Sequence, residues 1–209
     1  MRASTVTIKT EQDIEKLRIS GRLAAQVLEM IGEFIKPGVS TEYLDDICND
    51  YIVNTLQVIP ANVGYHGFTK TTCISVNEEV CHAIPSAKKI LKEGDILNID
   101  VAVIKDGYFG DTSRMYFVGE PTPEAKKLVE TTYEAMLAGI HTVRPGATLG
   151  DIGHAIQSVA QREGYSIVRE YCGHGIGRVY HEQPNILHYG QKGQGMVLKK
   201  GMVFTIEPM

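Results

Sequence analysis

The sequence predicts an α+β fold of two pseudo-symmetric halves, each a set of helices on a mostly antiparallel sheet, with the second half incomplete. Two internal matches carry the prediction. Ile35-Lys36-Pro37-Gly38-Val39-Ser40 resembles Val143-Arg144-Pro145-Gly146-Ala147-Thr148, 108 residues further on. Lys92-Glu93-Gly94-Asp95-Ile96-Leu97-Asn98-Ile99-Asp100 resembles Lys199-Lys200-Gly201-Met202-Val203-Phe204-Thr205-Ile206-Glu207, 107 residues further on. Separate matches at nearly one spacing mark a duplicated unit. The third observation is the order within each copy, helix patterns first and β-branched runs after. A chain of 209 residues can bury a core, so one domain over 1–209 is expected, with halves at about 11–118 and 122–209. A site between the halves suits that layout.

The first half opens with a helix capped by Thr10, its apolar face formed by Ile14, Leu17, Ala24, Val27, Leu28, Ile31 and Ile35. Pro37-Gly38 ends it. Ser40 or Thr41 caps a second helix with Leu44, Ile47, Cys48, Tyr51 and Ile52 on one face. Strands are predicted at 71–76, 96–104 and 112–118 from their β-branched content. In the second half Thr122-Pro123 starts a helix with Leu128, Val129, Thr132, Met136 and Ile140 inward. Thr148 caps the next helix and Gly164 stops it. Strands are expected at 166–171 and 203–207. The first copy continues past Asp100 to Val118, whereas the second reaches only Met209, so the counterpart of Asp111 is missing.

A net charge of -4 gives no reason to expect a nucleic-acid or membrane surface. No apolar run is long enough to span a bilayer, and the N-terminal residues Met1 to Thr7 lack the apolar stretch of a signal peptide. Cys48, Cys73, Cys81 and Cys172 form no C-x-x-C pair, which suits free thiols in a reducing cytoplasm.

Asp100 lies within an apolar run, where a lone carboxylate is costly unless paired or metal-bound. Asp106-Gly107 is a hairpin-turn signal. With those two residues at the turn, 102 faces 111 and 100 faces 113. Asp100 and Asp111 then share a face as diagonal neighbours, roughly 7–8 Å apart at the backbone. Asp106 itself is read as a turn residue. In Gly173-His174-Gly175-Ile176-Gly177 the glycines are expected to let the backbone turn and approach a ligand, with His174 ligating. The spacing is not that of a phosphate loop. Histidine with carboxylates suits Mn, Fe, Co or Zn better than Ca. His82 and His181 each stand three residues before a proline and read as counterparts across the repeat, suited to substrate contact and proton handling. His181-Glu182 does not extend to H-E-x-x-H, because position 185 is Asn.

These residues resemble the bacterial type I methionine aminopeptidases. The resemblance rests on Cys81-His82-Ala83-Ile84-Pro85, Asn98-Ile99-Asp100-Val101, Gly110-Asp111-Thr112-Ser113, the His174 glycine motif, His181-Glu182-Gln183-Pro184 and Thr205-Ile206-Glu207-Pro208-Met209. It implies a pita-bread fold and removal of the initiator methionine from nascent polypeptides, at the ribosome, by a cytoplasmic monomer. It implies up to two divalent ions, Co, Mn, Fe or Zn, on Asp100, Asp111, His174 and Glu207. A further acidic ligand of the family lies beyond Met209, so the second site is expected to be compromised and activity impaired. Glu207 is the implied proton carrier, and His82 and His181 the substrate-contacting histidines. Tyr65, His66, Phe68, Cys73 and Tyr180 match the methionine pocket; Asn62 and Tyr180 depart from the family's usual smaller residue and Phe. A different pita-bread aminopeptidase and a non-catalytic metal- or peptide-binding fragment are the alternatives.

Overall fold

A computed structural model describes residues 5–209, so the N-terminal reading is open to comparison only from Thr5 onward; Met1 to Ser4 lie outside the described residues. The chain forms two compact units. Glu15–Ala125 is one; Lys126–Met209, joined by the N-terminal segment through Ile14, is the other.

The unit of residues 15–125 is organised by α1 (Glu11–Ile31), α2 (Thr41–Asp50) and strands β1 (Ile59–Pro60), β2 (Thr72–Val76), β3 (Ile96–Lys105) and β4 (Tyr108–Phe117). Thr10 caps α1: its hydroxyl accepts from the Asp13 N–H at 3.2 Å, and the Asp13 carboxylate accepts the Thr10 N–H at 2.8 Å. Leu17, Ala24, Val27, Leu28 and Ile31 form the buried stripe. The helix ends sooner than Pro37, in a 3₁₀ turn at Gly32–Phe34, and Ile35 is already extended. Ser40 caps α2, accepting from the Tyr43 N–H at 3.1 Å.

All four strands are antiparallel, with β3 in the middle. β1 and β2 share one edge of β3, and β4 takes the other. Asp106 (φ 52°) and Gly107 (φ 78°) form a two-residue turn with both residues left-handed, as a tight hairpin requires. Ala102 faces Asp111 and Asp100 faces Ser113, the register the turn predicts. β4 begins at Tyr108 rather than 112, because the turn is followed at once by ladder pairing. Ile74, Val76, Leu97, Ile99, Val101 and Val103 join the α1 and α2 stripes in one apolar cluster.

Asp45 on α2 pins the start of β2. It is 3% exposed and accepts from the Thr72 N–H and hydroxyl, both at 2.7 Å, and from the Thr71 N–H at 3.3 Å. Burial pushes its carboxyl above the usual range, and the bonds from Thr72 and Thr71 work against that. Asp45→Ala orphans three donors, and a loss of about 3 kcal/mol or more is expected in urea unfolding.

The other unit holds α3 (Pro123–His141), α4 (Leu149–Arg162), β5 (Gly173–Gly175) and β6 (Glu182–Ile186). Thr148 and Asp151 form a capping box at α4, and Gly164 (φ +85°) follows its end. The buried face of α3 differs from the predicted one. It is Thr131, Ala135 and Gly139, whereas Leu128 and Ile140 are 41% and 42% exposed. The helix comes so close that a Cβ on Gly139 would sit 2.7 Å from the Ile156 side chain. Small residues therefore occupy the contact line, and the larger apolar ones flank it.

Residues 166–171 and 203–207 are not strands; they are irregular, with isolated backbone hydrogen bonds and one bridge, Gly175 with Phe204. Val168 N–H reaches Met209 O at 2.9 Å and Thr205 N–H reaches His174 O at 2.8 Å. The ladder in this unit runs instead between β5 and β6. Among the described residues no helix is long and apolar enough to cross a membrane.

Candidate metal centre

The hairpin places two carboxylates. Side chains alternate across a strand, so Ile99 and Val101, both fully buried, enter the apolar cluster while Asp100 points to the other face. Asp111, opposite Ala102, points the same way. Both carboxylates are half-buried. Cys73 stands beside Asp100 in the β2–β3 register, and burial, reinforced by the charges of Asp100 and Asp111, pushes its thiol well up. It is a neutral, 7%-exposed wall residue rather than a reactive thiolate.

His82 and the predicted pocket residues of this unit lie on the loops around β2. His82 is exposed with φ 54°, and the chain after it is bound to β2 by Ile74 N–H to Ala83 O at 3.1 Å and Ala83 N–H to Ser75 Oγ at 3.2 Å. Tyr65, His66 and Phe68 surround a short 3₁₀ turn, with the Tyr65 and His66 rings edge-on at 4.4 Å. Asn62, 6% exposed, ties this loop to β2 by donating to Thr71 O at 3.0 Å.

In the other unit His174 sits on β5, 7% exposed. Its Nδ1 donates to Gly175 O at 3.0 Å, which makes Nε2 the nitrogen with the lone pair. Nε2 lies 3.6 Å from Glu207 Oε1, the spacing of neighbouring ligand atoms on one cation. Thr205 holds both groups: its hydroxyl accepts the His174 N–H at 2.9 Å and donates to Glu207 Oε1 at 2.6 Å. The His181 ring lies 4.0 Å from that of His174 and 4.3 Å from that of Tyr180, tilted to them by 45° and 35°, with Tyr180 buried and His181 exposed.

Sequence reasoning missed Thr205, although its place two residues before Glu207, on the same side of an extended segment, was a usable signal. It also passed over His188. That imidazole is 1% exposed and accepts the Glu207 N–H on Nε2 at 3.1 Å, so its proton sits on Nδ1, which has no partner among the described residues. Burial pulls its pKa from 6.5 down to about 4. The unfolded chain takes up this proton below 6.5 and the folded chain only near 4. Stability is therefore lost as pH falls through that window. Urea unfolding at pH 7 and 4.5 should show the native chain losing about 2–3 kcal/mol more than His188→Gln.

The glycines of the His174 motif serve a different purpose from the one expected. None of the three has a left-handed φ. A Cβ on Gly173 would strike the Thr205 carbonyl, one on Gly175 the Gln183 carbonyl, and one on Gly177 would lie 2.7 Å from Lys9 Cε. Gly173 and Gly175 make room for crossing backbone, and Gly177 for the Lys9 side chain.

Nitrogen and oxygen donors in hydrogen-bonded support are a ligand set for a borderline divalent cation. Residues 15–209 match metallopeptidase family M24, and the chain belongs to that family, whose chemistry rests on divalent metal. The chain is 57% identical to a methionine aminopeptidase of Escherichia coli K12 over 98% of its length and 77% of the relative's. It is 54% identical to one from Rickettsia prowazekii, covering 78% of that protein. The Rickettsia prowazekii crystal structure superposes with a TM-score of 0.95, covering 98% of this chain and 82% of that one. The fold is therefore the α+β pita-bread fold of these neighbours. An Xaa-Pro dipeptidase from Bacillus anthracis matches at a TM-score of 0.80 with 26% identity, covering 96% of this chain and 54% of that one.

Proposed function

We propose that this chain removes the N-terminal methionine from nascent polypeptides by metal-dependent hydrolysis. The observation that carries the reading is the identity to methionine aminopeptidases along 98% of the chain, at more than twice the level of the proline-directed relative. The geometry within each unit agrees with it. Asp100, Asp111, His174 and Glu207 would be the residues that hold the cation. Co, Mn, Fe or Zn, as one ion or two, would suit these donors.

The bound cation would supply a Lewis acid that activates water and polarises the scissile carbonyl. Thr205 donates to the Glu207 carboxylate, and Glu207 would pass a proton toward the departing amine. His181, beside the rings of His174 and Tyr180, would hydrogen-bond the substrate, with His82 its counterpart. Tyr65, His66, Phe68, Cys73 and Tyr180 would line an apolar pocket for the methionine side chain. Four cysteines outside any disulfide suit a cytoplasmic protein, and it would act as a monomer on nascent chains at the ribosome.

The test compares turnover of Met-Ala-Ser with that of an Ala-Pro peptide during metal titration. Hydrolysis of Met-Ala-Ser that depends on added metal is expected. Preference for Ala-Pro would reject the substrate, and metal-independent turnover would reject the site.

A further inference from the structure

We infer that Lys9, on the N-terminal segment, is a positioning residue for His181, acting through a buried ion pair with Glu182; this rests on the reading of His181 as a substrate contact. Lys9 Nζ pairs with Glu182 Oε1, and the two side chains are only 4% and 15% exposed. An exposed pair would contribute little. This one is shut away from water, so removing either partner leaves an uncompensated buried charge.

The surroundings are shaped around the lysine. Its backbone N–H donates to Gly201 O at 2.7 Å. Gly201 (φ +91°) would carry a Cβ 2.8 Å from Lys9 O, and Gly177 one 2.7 Å from Lys9 Cε and 2.9 Å from Nζ. Two glycines thus keep a channel in which the side chain runs to Glu182. At the far end, Glu182 directly follows His181 and pairs with Gly175, the residue after His174. The charge pair therefore ties the start of β6, where it meets the end of β5, to the N-terminal segment. The His181 and His174 rings meet at that point, with centroids 4.0 Å apart. The imidazole is exposed, so its aim depends on the backbone that carries it, and a small misplacement of a catalytic group costs rate rather than binding.

The test uses Lys9→Met, Glu182→Gln and the double variant, each with His181 intact and as His181→Ala. Lys9→Met is expected to lower kcat on Met-Ala-Ser about tenfold with KM and metal affinity within about twofold. Glu182→Gln, which keeps a neutral acceptor for the lysine, should lose part of that rate, and the double variant should lose no more than Lys9→Met. With His181→Ala already present, Lys9→Met should change kcat by less than about twofold. In the metal-free protein, histidine-selective NMR should show the His181 Cε1–H signal shifted or broadened by Lys9→Met, with that of His154 unmoved. A tenfold loss that persists with His181→Ala, or an unmoved His181 signal, overturns the inference. If Lys9→Met does not fold, Glu182→Gln is read by the same two criteria. His181→Ala with unchanged kcat would instead count against the substrate-contact reading, and the NMR signal alone would then decide the fate of Lys9.

Discussion

Asparagine in place of Asp111 is expected to lower metal-dependent turnover at least about a thousandfold, roughly 4 kcal/mol of transition-state stabilisation. Asn keeps the shape of the side chain and loses the charge that a divalent ion needs. The fold should survive. Asp111 is half-buried on the face of the hairpin turned away from the apolar cluster, and its ladder partner is Ala102. Thermal unfolding of the metal-free variant should therefore stay within about 1 kcal/mol of the native chain, while calorimetric titration shows weakened metal uptake. Asp106→Asn is the control. That residue sits in the left-handed region at φ 52°, which Asn tolerates, and its change should be small in both measurements. Full activity in Asp111→Asn would remove the hairpin from the site.

Alanine at Gly110 should cost about 3 kcal/mol or more, the largest effect on stability expected of so small a change. Gly110 lies on β4 beside Asp111, buried opposite Val103. A Cβ there would fall on the carbonyl of Ser20 and 2.7 Å from the Gly21 nitrogen, both backbone atoms of α1. Backbone cannot swing aside as a long side chain can, so helix and hairpin must separate. The Ser20 hydroxyl, which donates to Tyr108 O at 3.0 Å, would go with them. Gly21→Ala tests the same contact from the other side. Nothing lies within 4 Å of its Cβ position, and ordinary helix propensity predicts a gain of about 0.5–1 kcal/mol. A Gly110→Ala variant as stable as the native chain in urea would show that the helix packs less closely than described.

The hairpin was legible because two rules agreed: Asp106-Gly107 demands a tight turn, and alternation then places Asp100 and Asp111 together. The helix starts were legible because Thr10, Ser40 and Thr148 carry caps whose chemistry is local. The α3 face was not. Periodicity weighs large apolar residues, whereas close packing against Ile156 selects Thr131, Ala135 and Gly139. β5 and β6 were missed for a related reason, since a three-residue Gly-His-Gly strand has no β-branched residue and the strand containing Pro184 has only Ile186. Residues 166–171 and 203–207 had that signal and lacked ladder partners, which no local pattern reports. In the site, the donors were visible as residue types. Their supports, Thr205, His188 and Lys9, are set by long-range contacts and were not.

The two-residue connection at Asp106-Gly107 makes the acid pair a matter of parity. Deleting one residue between that turn and Asp111 would leave every acidic letter in the chain. It would also swing Asp111 across the sheet into the aliphatic interior. Such a variant would still be recognised by its motif and would have lost its chemistry.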